Sequence, residues 1–283
     1  MNVKSFFDTV TSTFSHIAYS DKQSQCAIID PVLGFDIKTG RSNTDFADEI
    51  IAFVTEKQLE VEWILETHIH ADHLTAASYI KRQTGGKIGA SRYIHEVQDV
   101  FTHLYNLQPD YCRHEGLFDY LFAEDEIFKV GNLSVQALHV PGHTPADIAY
   151  YFDNSVVFVG DTIFATDVGT ARCDFPGGDA AKLFSSIQRI LSLPADTRLF
   201  MCHDYPPNGR AAIAEFTVEQ QRKSNIHLSG DMTINKFVQM RQQRDETLAA
   251  PALLIPSIQM NIRAGVFPPA ENDGKYYFKL PIR

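Results

Sequence analysis

The stretch Val61-Glu62-Trp63-Ile64-Leu65-Glu66-Thr67-His68-Ile69-His70-Ala71-Asp72-His73 runs an apolar, strand-like segment from Val61 to Leu65 into four potential metal ligands. Imidazoles and carboxylates together suit iron and zinc. The alternation of His68 and His70 follows the side-chain period of an extended segment rather than that of a helix. A lone histidine is ordinarily a surface or hydrogen-bonded group. Polar groups gathered at the end of an apolar run cost desolvation free energy unless something satisfies them, and a divalent cation satisfies several at once. The cluster therefore predicts a metal site.

Three further pieces lie downstream, each at the end of its own strand-like run. Leu133 to Val140 ends in Pro141-Gly142-His143-Thr144, turn chemistry that leaves His143 at a loop tip. Val156 to Val159 is broken by Gly160-Asp161-Thr162, which places the Asp161 carboxylate just beyond a buried strand. Leu199 to Cys202 leads into His203-Asp204-Tyr205.

Together these four segments resemble the signature of the metallo-β-lactamase superfamily over nearly the whole chain. The resemblance implies an α/β fold, a four-layer αββα sandwich with the four loops along one edge of the paired sheets. It also implies one metal position at His68, His70 and His143, another at Asp72, His73 and His203, and Asp161 between them.

Within the superfamily the chain is most similar to the persulfide dioxygenases, including their bacterial β-lactamase-like hydrolase branch. Glu66 to Ala77 is similar to that family's first loop, with Leu74-Thr75-Ala76 where glyoxalase II enzymes tend to have Gly-Gly. Gly160-Asp161-Thr162 with Arg172-Cys173-Asp174-Phe175 resembles its Gly-Asp loop and Arg-x-Asp-Phe element. His203-Asp204-Tyr205 matches the late His-Asp-Tyr, and Pro256 to Pro269, with Asn261 and Gly265, its C-terminal tail. The resemblance implies a single Fe(II) held by His68, His143 and Asp161, two histidines and one carboxylate that leave positions open for substrate and dioxygen.

On that reading His70, Asp72, His73 and His203 orient water and the ligands. Arg172 is a candidate contact for a substrate carboxylate and Tyr205 for a hydroxyl hydrogen bond near the sulfur. Glutathione persulfide is the implied substrate, a separate rhodanese its possible supplier, and a homodimer the implied assembly. The residue types equally allow Zn(II) at both positions, which makes a glyoxalase II-like zinc thioesterase the alternative. Against it stand Leu74-Thr75-Ala76, the Arg172 element and a short C-terminal region. A non-catalytic metal or sulfane-sulfur sensor is a third class.

Cys26, Cys112, Cys173 and Cys202 have no C-x-x-C spacing and no disulfide framework, which points to a reducing compartment. Cys173, beside Arg172, is a conceivable sulfur acceptor only if the cation stabilises its thiolate. Hydrophobic residues are 44% of the 283, charged residues 21%, and the net charge is −10. That balance argues against a nucleic-acid surface. No apolar run approaches the roughly 20 residues of a membrane span, and residues 1–20 do not read as a secretory signal. A cytoplasmic enzyme is expected.

Residues 1–283 read as one domain, with 230–283 as a C-terminal extension packed on it. Thr11 to Tyr19 reads as a strand. Asn43 or Thr44 is expected to cap a helix burying Phe46, Ile50, Phe53 and Val54. Asp179 is expected to cap another burying Leu183, Phe184, Ile187, Ile190 and Leu191, which must stop before Pro194. Thr217-Val218-Glu219-Gln220 has the capping-box pattern, and Thr233 to Glu246 carries a further helical signal.

Overall fold

A computed structural model describes residues 1–108, 110–113 and 116–282. The chain opens with β1 (Asn2–Asp8), β2 (Thr13–Tyr19), β3 (Gln25–Ile29), β4 (Val32–Asp36) and β5 (Arg41–Asn43), then α1 (Asp45–Lys57). There follow β6 (Glu60–Leu65), β7 (Leu74–Thr75), α2 (Ala77–Thr84), β8 (Lys87–Ser91), α3 (Ile94–Leu104) and β9 (Tyr120–Phe122). A second series comprises β10 (Ile127–Val130), β11 (Leu133–His139), β12 (Ile148–Phe152), β13 (Val156–Phe158) and α4 (Ala180–Leu191). The chain continues with β14 (Arg198–Phe200), β15 (Glu215–Thr217), α5 (Val218–Ser224), α6 (Ile234–Asp245) and α7 (Leu254–Asn261).

One six-stranded sheet has the order β1-β2-β3-β6-β8-β9, a second the order β10-β11-β12-β13-β14-β15, and β5-β4-β7 forms a small third. Strand alternation explains the layering, because successive side chains point to opposite faces. Ala18, Ala27, Ile29 and Leu65 face Val135, Tyr150, Phe152 and Phe158 in a core between the sheets. Their neighbours Ile17, Ile28 and Ile64 point outward to meet Ile50 and Val54 of α1 and Ile80 of α2. On the other side Ala149, Val157 and Leu199 meet Leu183, Ile187 and Ile190 of α4 and Phe237 of α6. The result is the expected αββα sandwich of the metallo-β-lactamase type.

The helix caps follow the sequence closely. Asp179 accepts from the backbone N–H groups of Ala181 and Lys182, and Thr217 and Gln220 close a capping box. Thr44 occupies the N-cap of α1 without a side-chain cap; its hydroxyl bonds the Asp48 carboxylate instead. Ile50 and Val54 are buried as expected, whereas Phe46, Phe53 and Phe184 are only partly covered. β2 starts at Thr13 rather than Thr11, because Thr11 turns back to bond Asp8 through both N–H and hydroxyl. The tail from Pro256 contains α7, whose Pro256 sits in the first turn, where a missing N–H breaks no helical bond. α6 packs against α4, and α7 against β7. Among the described residues no helix is long and apolar enough to cross a membrane.

Topology places the site. β6 is parallel to β3, β11 and β12 are antiparallel, and β13 and β14 are parallel, so the ends of β6, β11, β13 and β14 emerge at one edge. Backbone bonds from Ile148 to the Thr67 carbonyl and from Phe14 to the Cys202 carbonyl join the two sheets there.

Candidate metal centre

β6 ends at Leu65, and the histidine segment that follows is an irregular loop rather than the extended run its alternation suggested. The reason is Asp30, just beyond β3. Its carboxylate takes the Thr67 N–H at 2.7 Å and the Thr67 hydroxyl at 2.8 Å, so the loop's polar groups are satisfied without a ladder. The Thr67 hydroxyl proton is thereby committed. Its oxygen accepts from Nδ1 of His68 at 3.0 Å, which leaves Nε2 of His68 bare.

The other imidazoles are fixed in the same manner. His143 donates from Nδ1 to the Arg172 carbonyl at 2.8 Å, and His203 lies 3.3 Å from the Ser12 carbonyl through Nδ1. His70 is turned the other way: Nε2 donates to Asp30 at 3.1 Å and lies 3.4 Å from Glu66, leaving Nδ1 bare. His73 has Nδ1 3.3 Å from Asp72. Hydrogen bonding at one ring nitrogen sets the tautomer and aims the other at a ligand.

Two backbone features bring the loops together. A Cβ on Gly142, which has φ of +149°, would lie 2.3 Å from the Leu183 backbone, so only glycine lets the His143 loop seat on the start of α4. A Cβ on Gly160 at φ +54° would lie 2.8 Å from Cβ of Thr67, where the Asp161 loop crosses the histidine loop.

The ligand atoms converge in two groups, His68 with His143 and Asp161, and His70 with Asp72, His73 and His203, each within 4.8 Å of one another. Asp161 Oδ2 lies 3.9 Å from Nε2 of His68 and 3.7 Å from Nε2 of His143. Its Oδ1 lies 3.5 Å from Nε2 of His203, which is 3.3 Å from Asp72. The ligand atom of His70 groups with the second set, although its ring lies against that of His68 with centroids 4.0 Å apart. All seven sequence-derived positions therefore meet at one place, with Asp161 touching both groups.

At His68 and His73 the electrostatics match a cation site. Burial, then the neighbouring imidazoles, holds His68 well below its ordinary value, and burial with His70 lowers His73 to about 4, so both are neutral at pH 7. Neutral imidazole is the metal-binding form. Burial opposes charge on His70, but Asp30 and Glu66 outweigh it and raise that histidine. Four buried atoms, Nδ1 of His70, Nε2 of His73, Oδ1 of Asp161 and Nε2 of His203, have no hydrogen-bond partner among the described residues. Such orphaned groups are costly, and a divalent cation bound to this nitrogen and carboxylate set would satisfy them. The residues present thus fit a metal.

A cleft of about 860 Å³ opens over Asp72, His143 and Asp161, with Phe164, Phe175 and Leu253 among its apolar walls. Tyr205 lines it, 45% exposed, stacked on His203 at 5.7 Å; its hydroxyl bonds no described residue. Arg172 also lines it, but its guanidinium bonds both oxygens of Asp174 at 2.6 Å and the Ala249 carbonyl at 2.7 Å. That uses three of its five N–H donors. Lys38 and Arg244 line the same cleft and form no ion pair with a described residue. Cys173 is no stabilised thiolate: burial and Asp245 push its thiol up, and its neighbour's charge is taken by Asp174. Cys202 is buried, with Sγ 3.6 Å from Asp30.

Asp30, Glu66 and Thr67 were not among the expected site residues. Asp30 carried the same signal as Asp161, an acid ending an apolar run, here Ala27-Ile28-Ile29. Glu66 receives the Thr75 hydroxyl and is buried beside His70.

A metallo-beta-lactamase superfamily model matches residues 13–203. A probable metallo-hydrolase of Burkholderia pseudomallei is 46% identical, with 100% of this chain and 99% of that one covered. Glyoxylase B2 of Dictyostelium discoideum is also 46% identical, covering 99% and 96%. Human mitochondrial persulfide dioxygenase ETHE1 is 25% identical over 94% and 90%. The crystal structure of ETHE1 from Myxococcus xanthus shares the fold with a TM-score of 0.75, at 24% identity over 94% of this chain and all of that one.

Proposed function

The chain belongs to the metallo-beta-lactamase superfamily, and from that premise we propose that it is a mononuclear non-haem iron persulfide dioxygenase. The observation that carries the reading is the trio of His68, His143 and Asp161, two imidazoles and a carboxylate whose ligand atoms converge where His143 and Asp161 line the cleft. Ferrous iron in such a set supplies dioxygen activation while leaving coordination positions for the substrate sulfur.

The overall reaction converts a persulfide, dioxygen and water to a thiol and sulfite. The two sulfurs together lose the four electrons that dioxygen accepts, and the sulfur–sulfur bond is the one broken. Glutathione persulfide is the first substrate to test.

This chain's residues bind and orient. The apolar walls receive the carbon skeleton and exclude water from the sulfur. Tyr205 donates its hydroxyl hydrogen bond to substrate. Lys38 and Arg244, whose charges are unspent, receive the carrier's carboxylates, and Arg172 braces the cleft wall through Asp174 while offering its two remaining N–H groups. His203, 3.5 Å from the second oxygen of Asp161, orients that carboxylate, and His70, Asp72 and His73 pack beside it.

One observation favours a second reading. His70, Asp72, His73 and His203 form a complete ligand group of their own, and relatives 46% identical carry hydrolase and glyoxylase names. A two-zinc thioesterase would use both groups. Dioxygen uptake and sulfite formation by iron-loaded protein given glutathione persulfide, against cleavage of a glutathione thioester by zinc-loaded protein, separates the two.

A further inference from the structure

We propose that Asn261 is a positioning residue of the metal centre, pinning the loop that carries His70, Asp72 and His73 against the iron-binding trio; the proposal rests on the reading that the centre holds a metal. Asn261 is 2% exposed. Its amide nitrogen donates to the carbonyls of His70 at 2.9 Å and His73 at 2.8 Å, and its amide oxygen accepts from the Thr75 N–H at 2.9 Å. Both N–H bonds and the carbonyl of one side chain are thus spent on a single stretch of backbone.

That stretch has reason to need an outside partner. Between the ends of β6 and β7 it forms no sheet, so its carbonyls lack ladder donors, and buried carbonyls without partners are costly. By drawing the carbonyls of His70 and His73 onto one amide, Asn261 fixes the bend that brings the two rings together, with centroids 4.2 Å apart. Both rings end in a bare buried nitrogen.

Asn261 is held independently of the loop it holds. Gln98 bonds the Ile262 carbonyl at 2.9 Å, Tyr111 bonds the Gln259 carbonyl at 3.1 Å, and Gln259 exchanges two hydrogen bonds with the Lys279 backbone. α7 is therefore a scaffold brought from a distant part of the chain, and Asn261 is its point of contact with the histidine loop. Neither the polar residue type nor its place in a tail marks this role in the sequence.

The test uses the full chain with cobalt(II) as the probe metal, in wild type, Asn261→Asp, Asn261→Ser and Gln259→Ala. Asn261→Asp keeps the acceptor for Thr75 and sets a carboxylate oxygen against two carbonyls. Asn261→Ser is smaller and guards against a variant that does not fold. Gln259→Ala loosens the same helix without touching the loop. Cobalt affinity by chelator competition, the visible spectrum of the bound ion and thermal unfolding of metal-free protein are measured on each.

The expected result is a cobalt affinity about 10-fold or more lower with an altered spectrum in the Asn261 variants. Gln259→Ala is expected to unfold at lower temperature and to lose less cobalt affinity than the Asn261 variants. Folded Asn261 variants with wild-type affinity and spectrum overturn this proposal alone. Wild-type protein that takes up no cobalt overturns the metal reading as well.

Discussion

The Asp30 carboxylate holds Thr67 and His70 at once, taking the Thr67 N–H and hydroxyl and lying 3.1 Å from Nε2 of His70. It is buried at the end of β3, and it charges favourably because His70 and Thr67 outweigh the desolvation that opposes it. One residue thereby sets the ring orientation of His68, through Thr67, and of His70 directly.

Asp30→Ala leaves buried donors without an acceptor. The expected loss of stability in metal-free protein is about 3–5 kcal/mol, with metal affinity reduced about 10- to 100-fold. Urea unfolding and metal titration check this, and a variant within about 0.5 kcal/mol of wild type contradicts the role given to Asp30.

The ligand trio makes its own prediction. His68→Ala, His143→Ala and Asp161→Ala each abolish iron retention, whereas His203→Ala keeps iron and loses mainly turnover. Metal analysis of the purified variants decides: equal iron loss in all four makes His203 an iron ligand and the trio assignment wrong.

His16 reports on pH away from the ligands. It is fully buried, bonded through Nε2 to the Met201 carbonyl at 2.9 Å, and burial, outweighing that bond and the field of Asp30, lowers it to about 4. Its unfolded value is near 6.5, so the unfolded chain binds the proton first as pH falls, and stability is lost between about 6.5 and 4. Between pH 7 and pH 4.5 this costs wild type about 2.5 kcal/mol more than His16→Gln. Urea unfolding of both metal-free proteins at the two pH values measures the difference; parallel losses rule the assignment out.

On the proposed reading, Lys38 and Arg244, which form no ion pair with a described residue, receive the substrate's charge. Arg244→Gln is expected to raise KM for glutathione persulfide about 10-fold with little change in kcat, the pattern of an interaction made equally in ground and transition states. An unchanged KM for both Arg244→Gln and Lys38→Gln removes them from the site.

The sequence carried the site more fully than the machinery behind it. His68, His143, Asp161 and His203 were legible because each ends an apolar run, where an uncompensated polar group is expensive. The caps of α4 and α5 were legible because capping is local. Asp30 showed the same end-of-strand signal but had no second ligand beside it to raise it above a surface acid. Asn261 reaches His70 across 191 residues, a contact that no local pattern encodes. The extended reading of His68 to His70 failed because a side chain from another strand, rather than a neighbouring strand, satisfies that backbone.

The most direct test of the central claim is dioxygen consumption by anaerobically purified, iron-loaded protein on addition of glutathione persulfide, with iron and sulfite determined on the same sample. Uptake matched by sulfite in equal amount, at one iron per chain, is the predicted result. No uptake, with two zinc ions per chain and cleavage of a glutathione thioester, contradicts it and makes the protein a hydrolase.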